Sequence, residues 1–572
     1  MRILPRAASA AVCAFLFLFT VNNSIAQPVH RPNATRTSVS SGNWNVAATW
    51  AGGIVPSGND SVVIASGTTV TMFGDVNAGS GTLTVQSGAV LDLRDNLCKA
   101  GVFAALDGSE VRQAGSRIFS AISETPTIQL APNSTYVFYG TNNNLGGAHP
   151  IYGNLRFSTS AASNPGTIQT ALTVIGTFIL DVSNSRELRQ MSTINNSFGV
   201  LLISRGTFVL NHSGSGNAIL NVAHDLLISP GTGALRGTNQ GGHATLNLGG
   251  NLINNGTFQQ DDGSSSGIFT VDLNGTAEQH ISGLNAIAFE NLTVNNATGV
   301  VLDRDVSVDK TLTLTLGRVK TGDFTLLTGS GSTIAGAGEN SYVEGYIAKE
   351  FSSNGSFAFP VGTDSGYSPV TATITALPTN PSKLSVAAFN GAGPGVDAAN
   401  SVTRFWNIIE EGDLTANLTF SYRDEDVTTP ASEANYSLVK KDGNALPVVV
   451  CTGAGCINAA ANTASAGGVT GFSRWAIGAA VAPSSADAAV AGRVLDADAR
   501  AVRGAFLTAV GTDGRVRYAV TNQFGHYSFR SLSAGETYTI SVRSKQYTFA
   551  PSTRVITLND AETDLDFIAE AP

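Results

Sequence analysis

Acidic side chains along the first three hundred residues are the first candidates for chemistry in this chain. Cleavage of a glycosidic bond needs two carboxyl groups on one surface, one to donate a proton and one to stabilise or activate the attacking group. The acids here fall mostly in turns: Asp92, Asp95, Asp107, Asp181, Asp225, Asp261 and Asp262. Asp303, Asp305 and Asp309 gather near Arg304 within one short segment. We predict no catalytic residues, and a polysaccharide lyase or glycoside hydrolase stays the alternative.

Metal-binding chemistry has little support in the spacing of the histidines and acids. His212, His224 and His243 come nearest to a cluster, but their separations do not match one register of a repeat. Three acidic pairs could offer oxygen ligands to calcium: Asp424 with Asp426, Asp496 with Asp498, and Asp564 with Asp566. None has the dense alternation of Asp or Asn with Gly that calcium loops use. We predict solvated acids in turns, no metal site and no cofactor, with calcium as the alternative.

The cysteines predict one disulfide. Cys451 and Cys456 flank a Thr-Gly-Ala-Gly segment whose glycines let a local loop close. Such a bond forms where the compartment is oxidising. Cys98 has no evident partner, and we expect a buried thiol in a strand.

The N-terminus predicts export. Residues 1–26 combine Arg2 and Arg6 with an apolar run and the small residues of a cleavage site, which is the pattern of a signal peptide. We place the cut between Ala26 and Gln27. No later segment has the length of apolar sequence that a transmembrane helix needs, so we expect none in the mature chain.

Repeats dominate residues 27–330. Related Gly-containing turns recur at 65–70, 86–90 and 106–111, with short alternating runs between them. One turn of a parallel β-helix has this length, and no turn can bury its apolar row alone. We predict an all-β chain, a right-handed parallel β-helix followed by antiparallel β-sandwich domains. A string of antiparallel sandwiches is the alternative for the repeat region.

Two tryptophans mark the start of the repeats. Trp44 and Trp50 precede the run Asp60-Ser-Val-Val-Ile64. This opening resembles that of many secreted bacterial β-helix proteins and is similar to the start of the G8-type domain. We expect both tryptophans to cover the open end of the first coil. The alternative is that they are exposed and stack on sugar rings.

The second half of the chain loses the repeat. In residues 331–480 apolar and polar residues alternate in short runs without a fixed repeat length, which predicts an antiparallel sandwich. Residues 481–487 are predicted to form a polar linker. Residues 488–572 contain Val490-Ala-Gly-Arg-Val-Leu-Asp496, Thr521-Asn-Gln-Phe-Gly525 and the core candidates Tyr527, Phe529 and Tyr538. This segment resembles the carboxypeptidase regulatory-like domain, a transthyretin-like sandwich. The resemblance implies a domain that binds or spaces and does not catalyse.

The net charge of the chain limits the classes of partner that it can bind. The formal net charge is −9, which argues against a nucleic-acid partner because phosphates need a basic surface. We expect a secreted or cell-surface, non-enzymatic binding and spacer protein. Its candidate partners are extracellular glycans or surface proteins, with glycan binding implied by the resemblance of residues 488–572 alone. A purely structural protein without a ligand is the further alternative.

Overall fold

The computed structural model describes residues 34–114, 125, 127–140, 144–145, 151–159, 165–183, 186–263, 267–443, 445–481, 487–512, 514–558 and 560–570. The predicted signal peptide, with the cut between Ala26 and Gln27, lies outside the described residues, as does most of the predicted linker. The described chain is nearly all β, with a β-solenoid of about 12 turns followed by antiparallel sheets. The predicted all-β class and the β-helix are therefore confirmed.

The solenoid occupies residues 35–349. Its strands are Thr35–Thr37, Gly42–Asn43, Ser61–Ile64, Thr69–Thr71, Val76–Asn77, Thr82–Val85, Val90–Asp92, Cys98–Lys99, Val102–Ala105, Glu110–Gln113, Thr127–Leu130, Thr135–Phe138, Asn144–Leu145, Ile151–Tyr152, Asn154–Thr159, Gly166–Ile168, Thr173–Val182, Glu187–Gln190, Asn195–Asn211, Asn217–Val222, Leu226–Ile228, Gly233–Thr238, His243–Leu248, Leu252–Asn254, Thr257–Gln259, Ile268–Leu273, Gln279–Ser282, Ile287–Asn295, Val300–Leu302, Val306–Leu316, Val319–Thr328, Thr333–Ala335 and Val343–Phe351. Two short 3-10 helices, Ala47–Thr49 and Ala51–Gly53, precede the first full coil.

Each coil pairs in parallel with the next, so equivalent side chains stack along the column. One interior row is fully buried and apolar: Val70, Leu91, Val111, Tyr136, Leu155, Phe178, Leu201, Leu226 and Leu252. Parallel neighbours lie about 4.8 Å apart, which is close enough for each side chain to cover the one below. The apolar interior therefore belongs to the column and not to any single coil.

Buried amide side chains satisfy the backbone where the coils turn. Gln279 donates from Nε2 to the carbonyls of Leu248 and Gly250, at 2.9 and 2.6 Å. Its Oε1 accepts from the Nδ2 of Asn296 at 2.9 Å. An unpaired backbone group in this position would cost about 1–3 kcal/mol. These amides thus replace the strand pairing that a corner interrupts.

Trp44 and Trp50 close the N-terminal end. Their side chains are 3 % and 1 % exposed, and the rings meet edge to face with centroids 5.0 Å apart. The indole Nε1 of Trp50 donates to the carbonyl of Trp44 at 2.7 Å. Buried rings cannot stack on a ligand, so these two residues cover the core, as the capping hypothesis expects.

Strand Val343–Phe351 joins the solenoid to the sandwich. It pairs in parallel with Val319–Thr328 and in antiparallel with Ser382–Asn390. Parallel pairing therefore continues past residue 330, where the change in sequence texture placed the boundary. A single strand serves both architectures, and one buried apolar cluster runs through both.

The sandwich consists of two antiparallel sheets. Its remaining strands are Gly355–Phe359, Val361–Thr363, Gly366–Tyr367, Val370–Ala376, Ser382–Asn390, Val396–Glu411, Thr415–Ser421, Ser437–Lys441, Val448–Thr452, Ile457–Asn458, Thr463–Val469 and Arg474–Ala480. Three 3-10 helices interrupt them: Asp424–Asp426, Pro430–Asn435 and Gly453–Gly455. The Sγ atoms of Cys451 and Cys456 are joined in a disulfide.

The C-terminal unit has its own core. Its strands are Asp487–Leu495, Phe506–Gly511, Val516–Val520, His526–Ser533, Glu536–Arg543, Thr553–Leu558 and Phe567–Ile568. Tyr527, Phe529 and Tyr538 are buried in that core, where the alternation of the sequence places them. Gly525 has a φ of 77°, and a Cβ there would lie 2.6 Å from the carbonyl oxygen of Val494. Only glycine fits this turn.

Candidate functional site

One face of the C-terminal unit carries exposed aromatic and apolar side chains. In its four-stranded sheet, strand Phe506–Gly511 lies between Val516–Val520 and Glu536–Arg543. Leu507 and Ala509 point into the core and are fully buried. The alternate residues of these strands must therefore point to the opposite face of the sheet.

The outward face is organised around Phe506 and Tyr518. The two rings lie side by side with centroids 5.5 Å apart and planes inclined by 34°. Phe506 is 43 % exposed and Tyr518 is 65 % exposed. Phe506 pairs in register with Val520, which is 58 % exposed, and Thr508 pairs with Tyr518. We call Phe506 and Tyr518 the aromatic platform.

Polar groups border the platform. Across the sheet, Phe506 lies opposite Arg543 and Thr508 lies opposite Ser541. The guanidinium donates hydrogen bonds, and the hydroxyls both donate and accept them. Contiguous exposed apolar surface with a polar rim is typical of a binding surface. A flat ligand with an apolar face and polar edges fits this arrangement.

Neither Phe506 nor Tyr518 was among the site residues predicted from the sequence. The alternation of the strand nevertheless held a signal for the first of them. Ala505 and Leu507 are apolar and alternate about Phe506, and both are buried, so alternation alone places Phe506 on the opposite face. The position of Tyr518 beside it depends on the pairing of two strands, which is settled only by the fold.

Asp92 and Asp181, two of the acids weighed as catalytic candidates, have no acid in register with them on the neighbouring coils. Asp92 pairs in register with Thr71 and Arg112. Its Oδ1 accepts from the hydroxyl of Tyr139 at 2.7 Å. Asp181 accepts from Arg156 and Arg205 at 2.6 and 2.5 Å. These hydrogen bonds from the two arginines lower the pKa of Asp181 against the opposing effect of burial, which is the larger single influence. A lowered pKa is the opposite of what a proton donor needs.

Among the described residues of the column, Asp272 is an acid whose environment favours the protonated form. Burial raises its pKa. Its register neighbours on the adjacent coils are Asn247 and Thr293, however, so no carboxylate lies directly opposite it on either side. Asp272 therefore has no second carboxylate in register with it to complete an acid pair.

The acids weighed as alternative calcium ligands make contacts within the protein, and the prediction of a solvated acid is wrong for Asp426, because Arg404 and Arg423 bind its carboxylate in the interior. Asp496 accepts from the backbone N–H groups of Asp498 and Arg500 within a turn. In the part of the chain that the structure describes, no group of three His, Cys, Asp or Glu side chains is arranged to hold a metal ion.

Cys98 is 1 % exposed and lies in strand Cys98–Lys99, in accordance with the expectation of a buried thiol. Burial raises its pKa to about 12. The thiol therefore stays protonated and unreactive near neutral pH.

His212 lies in a partly buried cluster of charges, apart from His224 and His243. Its Nε2 is 3.2 Å from Nη1 of Arg189, which can only donate, so Nε2 must be unprotonated. Glu187 accepts from Arg189 and Arg236 at 2.8 and 2.7 Å in the same cluster. Burial, and then the charge of Arg189, lower the pKa of His212 against the weaker opposing effect of Glu187.

This lowered pKa predicts a pH dependence of stability. The unfolded chain takes up the His212 proton at a higher pH than the folded chain does. The contribution of neutral His212 is therefore present above a pH of about 6.5, the ordinary histidine pKa, and is lost as the pH falls toward the folded value. We expect the free energy of unfolding of the wild type to fall below pH 6.5 more steeply than that of His212→Gln, as measured by urea titration at several pH values. His243→Gln, at an exposed position, should keep the wild-type slope. Equal slopes for all three proteins would contradict the assignment.

The helices in the described part of the chain are short 3-10 turns, and none has the length or apolar composition of a membrane span.

Comparison with known protein families identifies the C-terminal unit. The family model of the carboxypeptidase regulatory-like domain matches residues 489–569. The resemblance noted for residues 488–572 is thereby confirmed: the chain carries this non-catalytic, sandwich-type domain. No curated protein and no solved structure matches the chain significantly.

Proposed function

We propose that this protein is exported and acts at the cell surface or outside the cell as a non-enzymatic binding and spacer protein. In this proposal the C-terminal domain binds carbohydrate through the aromatic platform. The solenoid acts as a spacer between the N-terminal end of the chain and that domain.

The exposed pair Phe506 and Tyr518 carries the proposal. One face of many sugar rings presents C–H groups whose partial positive charge complements the negative face of an aromatic ring. Two neighbouring rings, inclined by 34°, offer a surface long enough for more than one such contact. Arg543, Ser541 and Thr508 supply the hydrogen bonds that the hydroxyl groups at the ring edges need.

The continuity of the solenoid supports the spacer role. Every coil shares its apolar interior with its neighbours, so bending the column would expose that interior to water. About 12 turns stacked in this way extend for about 58 Å. A column of this kind is a stiff spacer between the parts of the chain that precede and follow it.

Two features support an extracellular location. The disulfide between Cys451 and Cys456 is stable in an oxidising compartment and is rare in the cytosol. The sequence of residues 1–26 has the pattern of a signal peptide.

The arrangement of the acids supports a role without catalysis. Asp181 is held by two arginines, and Asp272 has no acid in register with it on a neighbouring coil. Glu110, which lines the same outer surface as Asp92, is paired with Arg112. Release of reducing ends from a polysaccharide by the full chain would overturn this part of the proposal.

Removing the platform tests the binding role. We expect the full chain to bind at least one sugar on a broad glycan array, and Tyr518→Ala to weaken that binding at least tenfold. Tyr547→Ala, which removes a tyrosine that is 36 % exposed elsewhere in the same domain, should bind as the wild type does. Both variants should keep the wild-type melting temperature, because neither ring belongs to the core.

Two outcomes would overturn the carbohydrate proposal. A full chain that binds nothing on the array would favour a purely structural protein. Binding that Tyr518→Ala and Phe506→Ala both leave unchanged would place the ligand elsewhere.

A further inference from the structure

A second surface on the solenoid has the size and the side chains of a ligand site. It is a groove of about 390 Å³ on the outer face of the column. Its lining includes Asp92, Glu110, Arg112, Val137, Tyr139 and Arg156. Sites for small ligands begin at about 300 Å³.

Strand register builds the groove. Arg112, Val137 and Arg156 occupy one outward row on three consecutive coils. The two arginine backbones are therefore two strand spacings apart, about 10 Å, with the short side chain of Val137 between them. Val137 is only 8 % exposed, so it forms a low apolar floor between two long polar walls.

Tyr139 spans the groove at one end. Tyr139 directly follows strand Thr135–Phe138, and its hydroxyl donates a hydrogen bond to Oδ1 of Asp92 at 2.7 Å. The side chain crosses the intervening coil next to strand Glu110–Gln113, where the following residue, Ala114, is small. Burial, and then the hydrogen bond to Asp92, raise the pKa of Tyr139, so the hydroxyl stays protonated and donates. The backbone N–H of Arg94 donates to the same Oδ1 at 3.0 Å. Among the described residues, Oδ2 of Asp92 remains as an acceptor.

The charges of the lining indicate the class of ligand. Within the lining two acids, Asp92 and Glu110, balance two arginines, Arg112 and Arg156. Arg112 is paired with Glu110, and Arg156 with Asp181 on the next coil. An anion would meet the carboxylates and a cation would meet the guanidinium groups, so neither gains a net attraction. Guanidinium groups only donate hydrogen bonds and carboxylates only accept them. A hydroxyl group does both, and a sugar presents several of them around a ring with apolar C–H groups.

We propose that this groove is a second carbohydrate site, which takes an uncharged sugar residue against Val137 between the side chains of Arg112 and Arg156. It is separate from the platform of the terminal domain. A chain with both sites holds one polysaccharide at two points, and binding at the second point becomes intramolecular.

The test uses the full chain with its platform removed, as Phe506→Ala/Tyr518→Ala. The probes are cello-, xylo-, manno- and maltohexaose, with an oligogalacturonate as the charged comparison, titrated by calorimetry. We expect this double variant to bind at least one neutral hexasaccharide, and to bind it more tightly than the oligogalacturonate. Adding Arg112→Ala should weaken that binding at least tenfold. Adding Val137→Phe, which fills the floor without changing charge, should do the same.

Arg318→Ala is the matched control. Arg318 pairs with Glu344 at 2.9 Å on the column, outside the groove, and its loss should leave affinity within twofold. The proposal is overturned if the double variant binds none of the neutral hexasaccharides, or if Arg112→Ala and Val137→Phe both leave affinity within twofold. If the wild type binds a hexasaccharide and the double variant does not bind it at all, the groove is not a binding site and the platform alone accounts for binding.

Discussion

Phe178→Ala should lower the free energy of unfolding by about 3–5 kcal/mol. The side chain is fully buried at the centre of the solenoid. Its ring stacks on Phe198 with centroids 4.4 Å apart and lies 5.5 Å from Phe157 on the coil below and 5.7 Å from Phe208. Truncation opens a cavity that rigid neighbouring coils cannot fill. Denaturation in urea, followed by circular dichroism, measures the loss.

Ile175→Ala is the matched control for this variant. Ile175 lies in the same strand, Thr173–Val182, but is 51 % exposed. Its truncation should change stability by no more than about 0.5 kcal/mol. A loss below about 1 kcal/mol for Phe178→Ala would mean that the coils do not share a packed interior.

Asp426→Ala should be comparably destabilising, by about 3–5 kcal/mol, in the sandwich. The side chain of Arg404 is fully buried, and its Nη2 donates to both carboxylate oxygens of Asp426 at 3.0 and 3.2 Å. Its Nη1 donates to Asn390 at 2.8 Å and also to Thr363. Removing the carboxylate leaves a buried guanidinium without its counter-charge, and a buried unpaired charge is far more costly than a lost surface contact.

Glu425→Ala provides the comparison, because Glu425 is exposed on the same 3-10 helix, Asp424–Asp426. It should change stability by no more than about 0.5 kcal/mol. Equal unfolding midpoints for Asp426→Ala and Glu425→Ala would show that the buried pair contributes nothing. A melting curve of each full-length variant decides between these results.

The repeats explain why the solenoid was predictable. Interior positions such as Val70, Leu91 and Val111 recur at nearly constant spacing because each must cover the one before it. The end of the column was harder to place. Strand Val343–Phe351 continues the parallel pairing while it starts the antiparallel sheet, and its own sequence carries no mark of that double role. The handedness of the column stays a prediction.

The candidate sites were less predictable than the fold. The outward direction of Phe506 follows from the alternation of its strand. The contact between Phe506 and Tyr518, in contrast, depends on a register in which Thr508 faces Tyr518. The contact between Tyr139 and Asp92 joins residues 47 positions apart in the sequence. Such distant contacts come from the stacking of coils, which local patterns do not specify.

The spacer role requires one continuous column, and a distance measured along the column tests that continuity. Thr71 and Leu227 lie on the same outward row, connected by successive parallel pairings through seven strand spacings, or about 34 Å. Spin labels on Thr71→Cys/Leu227→Cys report this distance by double electron–electron resonance, and the buried thiol of Cys98 should not react with the label. A narrow distribution centred near 34 Å is the predicted result. A broad distribution, or a narrow one far from that value, would mean that separate globules replace the column.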